Sequence, residues 1–317
     1  MEPQIAVVIP CLNEAQTIAK VVGDFRRVLP EAAVHVFDNM SADRTAEVAA
    51  DAGAIVHRVK LRGKGQVVAK IMESVAADIL LMVDGDDTYP PEAAPDLLAP
   101  VRDEQADMVV GARLADHTDT AFRPLHVAGN RLVRGLINLI FGARLTDIMS
   151  GYRAFTADLA RHVPVTSVGF EIETELTLQS LYHGFVIREV QVPYRQRPPG
   201  SQSKLRTFRD GTRVLWTIFN IFRSVKPLTF FAAAGAVAMA LGILCALPGI
   251  VQFLDHDRVE SFPLLFVGVG LVILSFGSLG VGIILHAINV RLKEITSLMR
   301  KAGRPARPYP RRRRNDT

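Results

Sequence analysis

The chain has 317 residues, a net charge of +5 and a mean hydropathy of +0.21, so it is long enough for one large domain with further segments. Its two cysteines, Cys11 and Cys245, exclude a disulfide-stapled scaffold and a cysteine metal cluster. A basic balance suits either nucleic acid or an anionic membrane as a partner.

Short apolar runs alternate with helix-like segments over the first part of the chain. The predicted strands are 5–9, 34–38, 54–59, 79–84, 107–111 and 186–192. The predicted helices are 14–28, 43–52, a segment after Gly65, 91–102, 124–141 and 170–182. This alternation predicts an α/β domain over residues 1–205, with a mainly parallel sheet, both faces covered and right-handed crossovers.

Two long stretches near the C-terminus, residues 227–253 and 261–290, contain no Asp, Glu, Lys or Arg. About 20 helical residues cross the hydrocarbon core of a bilayer. Residues 227–290 are therefore predicted to form a transmembrane hairpin, and a pair of buried core helices is the alternative. Small residues at Ala232, Ala236 and Ala240 permit close helix packing and leave a homo-oligomer possible.

The charges around these stretches predict the orientation of the hairpin. Basic residues precede the first stretch and follow the second, up to the run 311–314, whereas residues 255–261 between them hold three acids and one Arg. Since positive residues stay on the cytoplasmic side, both termini are predicted to lie in the cytoplasm, with the protein in the inner, cytoplasmic membrane. Anionic lipid is then the simpler partner, and we expect no nucleic acid.

Residues 206–226 mix basic residues with Phe208, Leu215, Trp216, Phe219 and Phe222. This composition favours an amphipathic helix at the membrane interface, with a core helix of the preceding domain as the alternative. Residues 291–317 are predicted to form a basic cytoplasmic tail.

Four polar clusters follow predicted strands, namely 10–14, 38–45, 84–88 and 111–113. The carboxyl ends of parallel strands meet at one edge of a sheet, where ligands bind. Asp84-Gly85-Asp86 is the most informative cluster, because alternate carboxylates after a buried strand suit Mg²⁺ or Mn²⁺ shared with substrate phosphates. Such a metal neutralises charge that develops on a departing diphosphate.

Five segments in this order carry a family resemblance: VVIPCLNEAQTI, DNMSADRT, VDGDDTYP, SGYRAF and YRQRPPGSQSKL. Over residues 4–210 the chain resembles a family 2 glycosyltransferase of the dolichol-phosphate mannose synthase type, and its two apolar stretches resemble the anchors of the bacterial polyprenyl-phosphate members. The resemblance implies a GT-A fold and a metal-dependent transferase. It implies inverting transfer of a hexose from a nucleotide diphosphate sugar to a polyprenyl phosphate at the cytoplasmic membrane face.

The resemblance also assigns roles to residues. Nucleotide-sugar binding falls to Pro10, Asn13, Glu14, Asp38, Lys64, Asp84, Gly85, Arg197 and Lys204. The metal falls to Asp84, Asp86 and Thr88, with Thr88 standing where many relatives carry a Gln. The acceptor phosphate falls to Arg113, Arg123 and Ser150, and Asp86, Arg113 and Arg123 form the catalytic set. Arg suits this role because its planar fork binds phosphate oxygens in pairs.

A phosphate acceptor needs no dedicated general base, because a phosphomonoester with a second pKa near 6 is largely dianionic at neutral pH. Glu171 and Glu175 share a helix face, and the likeness of GFEIETEL to the family favours sugar binding over solvated carboxylates.

The sequence leaves alternative functions open. The donor is UDP-linked or GDP-mannose, with UDP slightly favoured by the bacterial character of two segments. A processive polysaccharide synthase normally carries a Gln-x-x-Arg-Trp motif, and the only Trp here, Trp216, lies in VLWTIF. An inactive membrane scaffold is disfavoured by the intact Asp84-Gly85-Asp86.

Overall fold

The structure, a computed structural model, describes residues 3–113, 134–135, 137–138, 141–169, 171–195 and 207–303. The chain divides into two compact units, residues 1–221 and 222–317.

The first unit is built on a seven-stranded sheet. Its strands are β1 Ile5–Cys11, β2 Ala33–Asp38, β3 Ile55–Arg58, β4 Ile79–Met82, β5 Met108–Arg113, β6 Arg153–Thr156 and β7 Ile187–Val192. They are arranged in the order β3-β2-β1-β4-β6-β5-β7. Every neighbouring pair is parallel except β4–β6 and β5–β6, which are antiparallel, so the predicted mainly parallel α/β sheet is confirmed.

Helices cover both faces of this sheet. They are α1 Ile18–Val28, α2 Thr45–Asp51, α3 Lys64–Ser74, α4 Ala94–Arg102, α5 Ala157–His162 and α6 Ile172–Tyr182. A short 3₁₀ turn, Pro91–Ala93, leads into α4.

Alternation along the central strand divides the core into two layers. Ile5, Val7 and Ile9 of β1 pack with apolar residues of α1, α2 and α4. Ala6 and Val8 point to the opposite face and pack with residues of α3, α5 and α6. Because successive side chains of a strand face opposite sides, one continuous apolar strand supplies both layers.

Among the residues that the structure describes, one strand and one helix were not predicted from the sequence. SGYR was expected to be a turn after the helix predicted over 124–141, yet Arg153 begins β6, and α5 follows it directly. Most of the predicted helix 124–141 lies outside the residues that the structure describes.

Helix α7, Thr207–Val225, coincides with the predicted interfacial segment. Ile218 and Ile221 on one side of it are buried, whereas Leu215, Trp216 and Phe219 are 43%, 63% and 41% exposed. The Trp216 and Phe219 rings stack at 5.6 Å. One face of α7 is thus buried and the other presents an exposed apolar surface.

The second unit contains two long helices, α8 Pro227–His256 and α9 Phe262–Gly303. Both are long and apolar enough to cross a membrane. In the most apolar stretch of each helix, only 11% of the residues are buried. A pair of soluble core helices would be mostly buried, so this alternative does not fit. The second helix runs past the predicted end of its span at residue 290 and continues to Gly303.

Glycines at seven-residue spacing, Gly235, Gly242 and Gly249, are buried on α8. A methyl group at Gly268 of α9 would lie 2.7 Å from the Gly242 carbonyl oxygen and 2.8 Å from the Ala246 nitrogen. Ser278 Oγ donates across the pair to the Phe231 carbonyl at 2.8 Å. The hairpin therefore packs backbone against backbone.

Replacing Gly268 by Ala should loosen this hairpin, because the added methyl meets backbone atoms and forces the helices apart. We expect a loss of about 1–3 kcal/mol, typical of overpacking. The matched control is Gly270→Ala, since a methyl there meets nothing within 4 Å. It should be neutral or slightly stabilising, because Ala is the better helix former. Thermal loss of helical circular dichroism in detergent measures both, and equal midpoints would contradict the packing.

Candidate active site

The predicted gathering of polar clusters at one edge of the sheet is observed for β1, β2 and β4. Cys11 at the end of β1 is in register with Asp38 at the end of β2. The Asn13 amide donates to Ser41 Oγ at 2.9 Å, and Asn13 Oδ1 accepts from the Ala42 amide at 2.7 Å. Thr17 Oγ1 donates to the Gly85 carbonyl at 2.6 Å. Hydrogen bonds thus join the loops that contain Asn13, Ser41 and Gly85 along one edge of the sheet. This edge, with the side chains that surround it, is called the rim.

Two residues assigned to the nucleotide pocket, Pro10 and Asp38, are buried. Pro10 lies inside β1 and is buried, because the strand runs two residues further than predicted. Asp38 is 6% exposed, and its Oδ1 accepts from the Ser41 amide at 3.3 Å. The Glu14 amide donates to Thr45 Oγ1 at 2.9 Å.

Lys64 is the centre of the charged cluster. Its ammonium lies 2.5 Å from Asp84 Oδ1 and 2.6 Å from Glu173 Oε1, with the side chain 13% exposed. Burial opposes the charged form, but the two carboxylates outweigh burial and raise the pKa of Lys64 above its usual value. Lys64 is therefore a fixed cation beside the Asp84-Gly85-Asp86 loop, held by α3, the loop after β4 and α6.

Glycines make room for this cluster. Gly63 has a φ of +125°, and a side chain there would overlap the Val168 carbonyl. The Gly65 amide donates to the same carbonyl at 3.0 Å, so the 166–168 loop packs directly on the start of α3. A methyl at Gly151 would overlap the carboxylate of Asp84. The glycines of the RGKG and SGYR segments are thus explained by the lack of space for a side chain, as well as by their place in the family motifs.

Asp86 and Thr88 form a buried pair in the same loop as Asp84. Asp86 is 3% exposed, and its Oδ1 accepts from Thr88 Oγ1 at 2.6 Å and from the Thr88 amide at 3.3 Å. Thr88 is fully buried. The Thr88 hydroxyl therefore orients the Asp86 carboxylate.

A divalent cation fits the chemistry of this donor set. Within the described parts of the chain, no group of three or more His, Cys, Asp or Glu side chains could hold a metal by itself. Mg²⁺ commonly takes one or two carboxylates and completes its shell with water and substrate phosphates. Asp84 and Asp86 are such a partial set.

Arg113 at the end of β5 forms a two-point ion pair. Its Nε donates to Asp147 Oδ2 at 2.7 Å and its Nη2 to Oδ1 at 3.0 Å, while its guanidinium lies 5.4 Å from the centre of the Tyr194 ring. Burial works against the charge of Arg113, but the bonds to Asp147 raise its pKa. Burial likewise disfavours ionised Asp147, yet the guanidinium lowers the pKa of this carboxyl. The side chain of Arg113 remains 29% exposed.

Ser150 is fully buried, where acceptor binding was expected. Its hydroxyl lies 3.2 Å from Tyr89 Oη and accepts from the Tyr152 amide at 3.3 Å. Arg153, also fully buried, donates to the Ser150 carbonyl at 2.8 Å and to the Ile148 carbonyl at 2.6 Å. SGYR is thus a buried scaffold beneath Asp84.

Three carboxylates lie around the start of α6, and each has a different environment. Glu173 binds Lys64. Glu175 accepts from the backbone amides of Thr166 and Ser167, at 3.1 and 2.7 Å. Glu171 Oε1 accepts from the Gly169 amide at 3.0 Å. Sequence reasoning selected Glu171 and Glu175 and missed Glu173, although all three stand in GFEIETEL.

Asp147, the partner of Arg113, was also missed. An Asp three residues before SGYR was the available signal. Arg123, Arg197 and Lys204 lie outside the residues that the structure describes, so their assignments stay predictions.

Residues 6–163 match the Glycosyl transferase family 2 domain. The chain is 34% identical to Glycosyltransferase AglJ of Haloferax volcanii, over 93% of this chain and 98% of that protein. It is 32% identical to a dolichyl-phosphate hexose transferase of the same organism, over 66% of this chain and 90% of the relative.

A solved structure has the same fold. Glucosyl-3-phosphoglycerate synthase from Mycobacterium tuberculosis, in complex with Mn²⁺, UDP-glucose and phosphoglyceric acid, superposes with a TM-score of 0.57 at 22% identity, covering 69% of this chain and 80% of that chain. The sheet, the charged rim and these relatives agree, and the chain belongs to glycosyl transferase family 2, with a GT-A catalytic fold.

Proposed function

We propose that the protein transfers a hexose from a nucleotide diphosphate sugar to a polyprenyl phosphate at the cytoplasmic face of a membrane. The observation that carries the proposal is that one chain combines the Lys64–Asp84 rim of a GT-A fold with two apolar helices. A water-soluble donor and a lipid acceptor call for this combination. The dolichyl-phosphate hexose transferase relative supports the acceptor class.

The donor diphosphate is assigned to the rim. Lys64 supplies a fixed positive charge, and Asp84 and Asp86 would hold Mg²⁺ or Mn²⁺ against the phosphates. The metal would neutralise charge on the leaving diphosphate. A UDP-sugar is the favoured donor, and GDP-mannose is the alternative.

The acceptor phosphate is assigned to the Arg113 side of the rim. Asp147 fixes the guanidinium through two of its nitrogens, and the partly exposed arginine has five donor hydrogens in all. A dianionic phosphate attacks the anomeric carbon in line, and the diphosphate leaves from the opposite side. The configuration at that carbon is therefore inverted, without a dedicated general base.

The metal assignment predicts the effect of a conservative change. Asp86→Asn keeps the size of the side chain but removes its charge, so transfer should fall by at least about a hundredfold. The control is Asp87→Asn, the same change one residue later, where the carboxylate instead pairs with Lys20 at 2.7 Å. It should keep most of the activity.

Transfer of radiolabelled sugar to undecaprenyl phosphate measures both variants, with EDTA and re-added Mg²⁺ or Mn²⁺ on the wild type. Full activity in EDTA would show that transfer needs no metal. An active Asp86→Asn enzyme would show that Asp86 is not a metal ligand.

The charge asymmetry around the hairpin predicts the topology. In a variant without Cys11 and Cys245, His256→Cys should react with a membrane-impermeant maleimide on whole cells, because His256 lies at the hairpin tip. Ser297→Cys should react only after lysis, because Ser297 lies in the basic extension of α9. The reverse pattern would place the rim out of reach of cytoplasmic nucleotide sugars.

The exposed face of α7 is proposed to lie in the lipid interface, because aromatic rings prefer the headgroup boundary. Trp216 is the sole tryptophan of the chain, so its fluorescence reports this face directly. In phosphatidylcholine–phosphatidylglycerol vesicles, lipids brominated near the headgroup should quench Trp216 more strongly than lipids brominated near the chain end. Emission that is insensitive to bromolipid but quenched by aqueous iodide would place the face in water.

A further inference from the structure

Tyr194 lies beside Arg113, although 81 residues of chain separate the two. Strands β5 and β7 are parallel neighbours, and Arg113 at the end of β5 is in register with Val192 at the end of β7. Parallel strands end at the same edge of a sheet. The chain that leaves β7 therefore passes Arg113, and Tyr194 is the second residue of that segment.

One edge of the Arg113 guanidinium is held by Asp147. Nε donates to Asp147 Oδ2 at 2.7 Å, and Nη2 donates to Oδ1 at 3.0 Å. An arginine has five N–H hydrogens, so these two bonds leave both hydrogens of Nη1 and the second hydrogen of Nη2. Together these hydrogens form a second edge that matches two oxygens of a phosphate. The side chain of Arg113 is 29% exposed, so a ligand can reach it.

The Tyr194 ring covers the face of the same guanidinium. The central carbon of the guanidinium lies 5.4 Å from the centre of the ring. A cation is attracted to an aromatic face within about 6 Å of the ring centre. The bonds to Asp147 restrain an edge of the guanidinium, whereas the ring restrains its tilt out of the plane. Contacts in two directions therefore fix the orientation of the remaining N–H groups.

The loop that follows β4 supports Tyr194 in turn. The rings of Tyr194 and Tyr89 meet edge to face, with their centres 5.3 Å apart and their planes at 69°. Tyr89 is buried, and its hydroxyl accepts from the Gly151 amide at 3.1 Å. The Arg195 amide, next in the chain, donates to the Thr88 carbonyl at 2.8 Å. The partly exposed Tyr194 ring thus rests on a buried and hydrogen-bonded base.

We propose that Tyr194 is a positioning residue for the acceptor, whose ring holds the Arg113 guanidinium in the orientation that binds the acceptor phosphate. The inference rests on the proposed function, in which Arg113 binds that phosphate. A mobile guanidinium loses rotamer freedom when a ligand binds, and this loss weakens binding. A guanidinium that is already held at an edge and on a face avoids most of the loss. Tyr194 therefore acts through Arg113.

Removal of the ring tests this role. Tyr194→Leu should lower kcat/KM for undecaprenyl phosphate roughly threefold to thirtyfold, the range of a partly desolvated cation–π contact, mainly through a higher KM. Tyr194→Phe should stay within about twofold of wild type, because the ring makes the contact. Transfer of radiolabelled sugar by full-length protein in detergent measures both variants. Calorimetric titration with UDP and GDP in Mn²⁺ should show nucleotide affinity unchanged, because the contact lies on the acceptor side.

A double-mutant cycle shows whether Tyr194 acts through Arg113. In the Arg113→Gln background, Tyr194→Leu should cause no further loss of kcat/KM for the lipid phosphate, because the cation that the ring holds is gone. Losses that add in full would place the action of the ring elsewhere and overturn the proposal.

A matched variant at the next residue separates this role from folding. Arg195→Gln keeps the backbone amide that bonds Thr88 and removes only an exposed guanidinium, which pairs with Glu92 at 3.2 Å. This control should keep the wild-type KM for the lipid, and Tyr194→Leu should share its thermal midpoint. If Tyr194→Leu instead had a lower midpoint and lost lipid and nucleotide binding equally, Tyr194 would be a structural residue.

The remaining outcomes are also decisive. An unchanged KM in Tyr194→Leu, or an equal loss in Tyr194→Phe, would overturn the inference and leave the proposed function standing. Unimpaired transfer by Arg113→Gln would remove Arg113 from the acceptor site, and this inference with it. Wild-type protein that transferred no sugar to undecaprenyl phosphate would overturn the proposed function itself.

Discussion

The Lys64 ammonium between Asp84 and Glu173 is the interaction on which the site depends. A buried cation is costly unless its partners surround it, and removing one partner of such a set is strongly destabilising. The three side chains come from α3, from the loop after β4 and from α6, so the contact fixes three elements at once. Positions 63 and 151 require glycine, because the Val168 carbonyl and the Asp84 carboxylate occupy the space that a side chain would need.

The sequence predicted those parts of the fold that repeat a local pattern. β1 and β4 are continuous apolar runs, and α1 has an apolar side, so periodicity was sufficient. Strand β6 was not predicted because it has only four residues and begins with a charged residue, Arg153. The guanidinium is tolerated in a central strand because it donates hydrogen bonds to three buried acceptors. Two of these acceptors are backbone carbonyls close in sequence and the third, Thr177, lies on α6, so residue type alone does not reveal that the charge is satisfied.

The residues of the candidate site also fall into a group that the sequence predicted and a group that it did not. The loops that follow parallel strands were placed by topology alone, which explains why the rim around Asn13, Asp38 and Asp84 was anticipated. Glu173 was missed because helical spacing groups Glu171 with Glu175, whereas α6 is buried on all sides and presents carboxylates in several directions. Pairings across the fold, such as Arg113 with Asp147, depend on distances that spacing along the chain does not encode.

In the reaction that we propose, the phosphate of a polyprenyl phosphate is the nucleophile. Purified protein should be incubated with its preferred nucleotide sugar and either undecaprenyl phosphate or undecaprenol, and the lipid products analysed by mass spectrometry. We expect one sugar on the phosphate, with the configuration at the anomeric carbon inverted, and no product from the alcohol. Equal transfer to undecaprenol, or a polymer of sugars, would rule out the proposed reaction.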